Sequence, residues 1–258
     1  MPRPVYNRGL VYHKVSAAHE WGVTTTTPRQ FKTQMSAIQH LGFSFSTIQD
    51  SDKDPNSILV TFDDGYDNIM EHAAPALEDV GGVATVFAIS EFVGQKNSWD
   101  YFPAEKQIRH MPWSDLRKLS EMGWEIGSHG CTHRRLVSMP ADQVHKELTE
   151  SKQEIEHRLG KAVTTFCPPF NAWNSELLHL IEQAGYNKIA ISYPLNGLPS
   201  WSGQFVPRLG VYRYDFEAAF LSKLQIAPLS PLSVLLQQLI NIAGDGKILE
   251  TWLKTNAK

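Results

Sequence analysis

Short apolar, β-branched runs alternate with helix-length amphipathic stretches along this 258-residue chain. That alternation restricts it to βα units around a mostly parallel sheet, an α/β fold. The clearest run is Ser57-Ile-Leu-Val-Thr-Phe62, which reads as a buried strand because it is short, apolar and β-branched. Further strands are expected over residues 9–13, 84–89, 124–127, 163–166, 188–192 and 206–212. The first helix has Thr27 as N-cap and Pro28 at its first position, with Phe31, Met35, Ile38 and Leu41 on one face and Gly42 closing it. Other helices are expected over 73–80, 111–122, 140–159 and 175–184, and a last one over 232–242. In the helix over 140–159, Val144, Leu148, Ile155 and Leu159 should face inward. No internal repeat or linker divides the chain, so residues 1–258 read as one domain with a helical extension over 225–258.

Composition removes several classes. Hydrophobic content of 42% and charged content of 20% are those of an ordinary globular protein. A formal net charge of −3 gives no general attraction to nucleic acid or to anionic membranes. No apolar run approaches the roughly 20 residues of a transmembrane helix. The segment Met-Pro-Arg-Pro-Val-Tyr lacks a signal-peptide core, which makes the cytoplasm the expected compartment. Two cysteines, Cys131 and Cys167, fit a reducing compartment and exclude a disulfide scaffold.

The chemistry is expected where the strand over 57–62 ends. Asp63 and Asp64 follow it, and Gly65 permits a sharp turn that leaves both carboxylates at the exit. Adjacent carboxylates repel and raise one another's pKa, a penalty that a cation between them and nearby imidazoles removes. His129 and His133, four apart after the strand over 124–127, supply such imidazoles; a loop or a first helical turn would bring them to one side. His-x-x-x-His alone is more often solvated surface than ligand. Strand C-termini converge in an α/β barrel, however, and two histidines with one carboxylate leave metal positions open for water and substrate.

The phrases Thr61-Phe-Asp-Asp-Gly65, Ala84-Thr-Val-Phe87, Gly123-Trp-Glu-Ile-Gly-Ser-His129 and His133-Arg-Arg-Leu136 resemble the polysaccharide deacetylase family, carbohydrate esterase family 4 or the NodB-homology domain. The resemblance covers about residues 57–193. It implies a single distorted (β/α)7-type barrel with parallel strands and metal-dependent removal of acetyl groups from sugars. By the same resemblance Asp63 is the general base, and Asp64, His129 and His133 hold one divalent ion, zinc first, with cobalt or nickel also suited. The family's third motif, Arg-x-Pro-Tyr/Phe, is here Cys167-Pro-Pro-Phe170. Its backbone N–H at Phe170 would serve the oxyanion, but the arginine that supports the base is missing, and Arg208 is the candidate substitute. The general-acid histidine, usually late in the chain, has no counterpart after His179. Gly9-Leu-Val-Tyr-His13 resembles that strand moved to the N-terminus, as in the circularly permuted branch that includes biofilm poly-N-acetylglucosamine deacetylases. Residues 1–50 would then supply the permuted strand, and His13 the acid.

Blander readings stand beside these. The two aspartates could cap a helix starting near Tyr66, though that explains one carboxylate and not the histidines. His13 could be a hydrogen-bonded core histidine. His72, His110, His145, His157 and His179 read as surface or structural, and the cysteines as reduced small side chains. Trp99 and Tyr101 are the expected sugar-stacking residues, with Arg208 also placed among the substrate-binding groups; Trp113 reads as a helix anchor. The expected partner is an N-acetylated sugar or glycan, with the oligomeric state open. Two other functions compete: hydrolysis of a non-sugar C–N bond, and glycan binding without turnover.

Overall fold

A computed structural model describes residues 8–17, 23–97, 108–193 and 198–224. Trp99, Tyr101 and the helix expected over 232–242 lie outside the described residues. In chain order come β1 (Arg8–Tyr12), β2 (Lys14–Val15), β3 (Thr25–Thr26), α1 (Pro28–His40), β4 (Ser44–Ser46), β5 (Ser57–Phe62), α2 (Ala74–Glu78) and β6 (Thr85–Ala88). There follow α3 (Trp113–Glu121), β7 (Glu125–Ser128), α4 (Ala141–Leu159), β8 (Thr165–Phe166), α5 (Ser175–Gln183), β9 (Lys188–Ser192), β10 (Gln204–Gly210) and α6 (Glu217–Lys223).

Strand β1 pairs in parallel with β5 on one side and with β10 on the other. The order β1-β10-β9-β8-β7-β6-β5 therefore returns to β1, closing seven parallel strands into a barrel, with β4 added to β5 outside the ring. The closure is distorted where β7 meets β8, which share one register pair, Ser128 with Phe166. The expected barrel is the observed one, and the N-terminal strand is the one that closes it.

Register sorts the side chains, because residues paired across parallel strands point to the same face. Leu59, Phe87, Ala190 and Val206 point inward and, with Cys167 and Ile48, fill the barrel. Leu10, Tyr12, Ile58, Val60 and Phe62 point outward into the larger core under the helices. Gly127 makes room for the Phe87 ring, since a Cβ there would lie 2.7 Å from it. The strand N-termini are plugged by polar groups. Glu125 accepts from Thr85 Oγ1 and Gln49 N at 2.8 Å each, and Lys188 Nζ donates to Ile48 O at 3.0 Å and Asp52 Oδ2 at 2.8 Å. The opposite, C-terminal end is where barrels of this kind carry chemistry.

Thr27 caps α1 as expected, accepting from Gln30 N at 3.2 Å. Leu41 departs from expectation: it is the C-cap residue and 46% exposed, so the apolar face of α1 ends at Ile38. The helix expected over 73–80 starts earlier, with a π-turn over Ile69–Ala73 whose N-cap is Asn68. Neither Asp63 nor Asp64 caps a helix, which removes the bland reading of that pair. Strands β2, β3 and β4 were not expected; each has two or three residues, too few for a period. Among the described residues no helix is long and apolar enough to cross a membrane.

Candidate active site

Where β5 ends, Asp63 N donates to Tyr12 O at 3.0 Å and so prolongs the ladder with β1. The chain then turns through Asp64 at φ 69° and Gly65 at φ 63°. Aspartate is among the few non-glycine residues that visit this left-handed region routinely. The turn is held from outside: the His110 ring donates from Nδ1 to Asp64 O at 2.7 Å, and Met111 N donates to Gly65 O at 2.9 Å. The two carboxylates consequently diverge, Asp63 toward Arg208 and Asp64 toward the histidines.

His129 follows β7, its backbone N donating to Ala88 O at 2.9 Å. Its Nδ1 donates to Cys167 O at 2.6 Å, a carbonyl that can only accept, so Nε2 keeps its lone pair. Burial, with the neighbouring His133, pushes the imidazole down to about 4, leaving it neutral at pH 7. His133 reaches the same place from an irregular loop and not from a helical turn, with φ at 55°. Asp64 Oδ1 lies 3.6 Å from His129 Nε2 and 3.3 Å from His133 Nε2, yet it is buried and accepts no hydrogen bond among the described residues. One orphaned carboxylate oxygen facing two imidazole nitrogens is a donor set suited to a divalent cation.

Beside it sits a second cluster. Arg208 Nη1 donates to Asp63 Oδ1 at 2.6 Å, and Nη2 donates to Asp63 Oδ2 at 3.0 Å, a two-pronged pair. Nη1 also donates to Thr61 Oγ1 at 2.8 Å, and Nη2 to Cys167 Sγ at 3.0 Å. Burial pushes the Asp63 carboxyl up, but the Arg208 charge and its hydrogen bonds outweigh this and hold it at about 2. Arg208 therefore stands where the sequence proposed a substitute for the missing arginine. At 3% exposure its guanidinium touches Asp63 and not solvent, which argues against the direct substrate contact also considered. Asp63, His129 and Cys167 form another closely spaced triplet. The Arg208 cation already contacts two of its members and fills the role an ion would have there.

His13 follows β1 and is close enough to Asp63 to be among the charges that lower its pKa. Phe170, after Pro168 and Pro169, adopts φ 60° and ψ 14°, and its ring lies 4.8 Å from that of His133. Asn171 keeps this loop against β9 by accepting from Ser192 N at 2.7 Å. The structure thus brings together Asp63, Asp64, His129, His133, His13, Phe170 and Arg208. His110 was read from the sequence only as surface or structural; its buried bond to Asp64 has no motif that would announce it. The cysteines are both buried and reduced, with Cys131 Sγ donating to Glu147 O at 3.4 Å.

A family model for polysaccharide deacetylase matches residues 50–189, just over half of the chain. A Bacillus subtilis protein named as a polysaccharide deacetylase, YxkH, is 26% identical over 185 residues, which is 69% of this chain and 61% of that protein. The chain thus spans about three-fifths of that relative's length. The poly-β-1,6-N-acetyl-D-glucosamine N-deacetylase of Staphylococcus aureus is 24% identical over 207 residues, 73% of this chain and 68% of that protein. The solved Streptococcus pyogenes deacetylase PplD, in complex with acetate, superposes with a TM-score of 0.73 at 16% identity, covering 86% of this chain and 99% of the other. That likeness is one of fold.

Proposed function

The chain belongs to the polysaccharide deacetylase family, and from that premise we propose that it is a metal-dependent hydrolase removing acetyl groups from an N-acetylated sugar or glycan. The observation that carries this reading is the pairing of two clusters at one end of the barrel: the orphaned Asp64 Oδ1 facing His129 and His133, and Asp63 forked by Arg208. Asp64, His129 and His133 would hold one divalent ion, zinc first, with cobalt or nickel also suited. Bound there, such an ion supplies Lewis acidity that polarises the acyl carbonyl and acidifies water, which a base as weak as Asp63 needs.

The chain's own residues do the rest. Asp63, ionised at neutral pH and fixed by two hydrogen bonds, takes the proton of the attacking water. The Phe170 N–H donates to the developing oxyanion from a loop whose left-handed turn follows two prolines. His13 gives a proton to the departing amine, without which an amide bond does not break. Residues 1–50 supply the strand that carries His13, and Trp99 and Tyr101 remain the proposed sugar-stacking pair. The Arg208 guanidinium on Asp63 supports this reading over that of a glycan binder without turnover.

The test is acetate release from N-acetylglucosamine oligomers by protein loaded with Zn²⁺ or Co²⁺, with and without chelator, beside Asp63→Asn. Chelator-sensitive release lost in the variant is expected. Release from non-sugar amides alone, or none with stoichiometric metal, overturns the reading.

A further inference from the structure

The loop that carries His133 is built around a buried carboxylate that no motif marks. Glu147, in the second turn of α4, is 6% exposed. Its Oε2 accepts from the backbone N–H groups of Cys131 at 2.8 Å and Thr132 at 3.0 Å, and its Oε1 accepts from Thr132 Oγ1. Two successive amides converging on one oxygen make a small anion-binding concavity, here occupied by a side chain of the same protein. From the other side, Ser90 N and Glu91 N donate to Gly130 O at 3.1 Å and Cys131 O at 3.2 Å. The loop is therefore clasped on its donors by α4 and on its acceptors by the turn Ser90–Phe92. Gly130 fits because a Cβ there would lie 3.1 Å from Glu147 Oε2, at a φ of 83°.

We propose that Glu147 is a positioning residue for the ion site. By fixing the Cys131 and Thr132 amides it holds His133, the next residue, in its left-handed conformation, with Nε2 3.3 Å from Asp64 Oδ1. Left-handed backbone is costly for a residue with a Cβ, so an unclasped loop relaxes and withdraws one imidazole from the donor set. Among the described residues the hydrogen bonds of the Glu147 carboxylate go to residues 131 and 132 and not to either imidazole. The inference rests on the ligand assignment above.

The experiment is titration of the apo protein with Zn²⁺ against a chromophoric chelator, with Co²⁺ absorption as a second readout. Glu147→Ala should bind Zn²⁺ roughly 10- to 100-fold more weakly, the usual cost of losing a group that orients a ligand, with a changed Co²⁺ spectrum. Glu147→Gln, whose carbonyl oxygen can still accept both amides, should recover most of the affinity. Thr132→Val, which removes only the hydroxyl contact, should give a smaller loss and serves if the alanine variant does not fold. Wild-type affinity in the alanine variant, or in Thr132→Val where alanine fails to fold, overturns the role of Glu147. A wild-type protein that binds no Zn²⁺ instead overturns the ligand assignment.

Discussion

Arg208 reaches Asp63 by crossing over a strand that lies between them. Strand β1 separates β10 from β5, and the residue of β1 in register with Arg208 is Gly9. A Cβ at Gly9 would stand 2.8 Å from Arg208 Cγ and 2.7 Å from Pro207 O. The absent side chain is the passage through which the guanidinium extends to Thr61 and Asp63.

Gly9→Ala should therefore act twice. Overpacking typically costs about 1–3 kcal/mol, and the displaced Arg208 should lose its fork on Asp63, lowering kcat while Zn²⁺ affinity stays near wild type. Urea denaturation and steady-state kinetics on one preparation measure both. A variant that is destabilised but fully active would show that the crossing is not needed.

Replacing Arg208 by leucine leaves a buried carboxylate without its cation, which costs roughly 3–5 kcal/mol at neutral pH. Asp63 is held at about 2 in the folded protein, against about 3.9 for a free aspartate. The pairing thus contributes fully above about pH 4 and is lost as pH falls toward about 2. The gap between wild type and variant should be widest near pH 7 and narrow as acid protonates the unpaired Asp63 of the variant. A gap constant from neutral to acid pH would refute the charge pairing as its source.

Cys167, just after β8, and Arg208 on β10 meet beside Asp63, the thiol standing 3.0 Å from the guanidinium. Cys167→Arg alone crowds two cations together and should reduce activity, as should Arg208→Met alone. The double variant should exceed Arg208→Met by roughly tenfold or more, a coupling expected of residues in one network. Losses that simply add would mean that the two positions do not substitute for each other.

His13→Ala should lower kcat on an N-acetyl substrate by roughly 10²–10⁴-fold, the range for a positioned acid. An acetyl ester with a good leaving group needs no such proton and should be affected far less. Equal losses on both substrates would place His13 elsewhere in the reaction.

Much of this site was legible because its chemistry lies next to its signal. Asp63 and Asp64 directly follow an apolar run, and a strand's exit is where a barrel exposes residues. His129 and His133 follow another. Arg208 is far less legible, because its partner is 145 residues away and strand order, not spacing, sets the contact. Glu147 was illegible for a different reason: on an amphipathic helix a glutamate between Lys146 and Leu148 looks like solvated surface. Leu41 misled in the opposite sense, since helical spacing continues past the residue at which the helix stops.

Closure by β1 also fixes the order in which the residues of the candidate site can come together. Because β5 is synthesised before β10, β1 can pair with β5 first, bringing His13 beside Asp63. Asp63 nevertheless remains without its cation until β10 is synthesised and docks on the free edge of β1. A nascent chain halted before Arg208 would hold an open sheet with an exposed edge and an unsupported Asp63. The pairing of Arg208 with Asp63 is thus made in the same event that seals the ring.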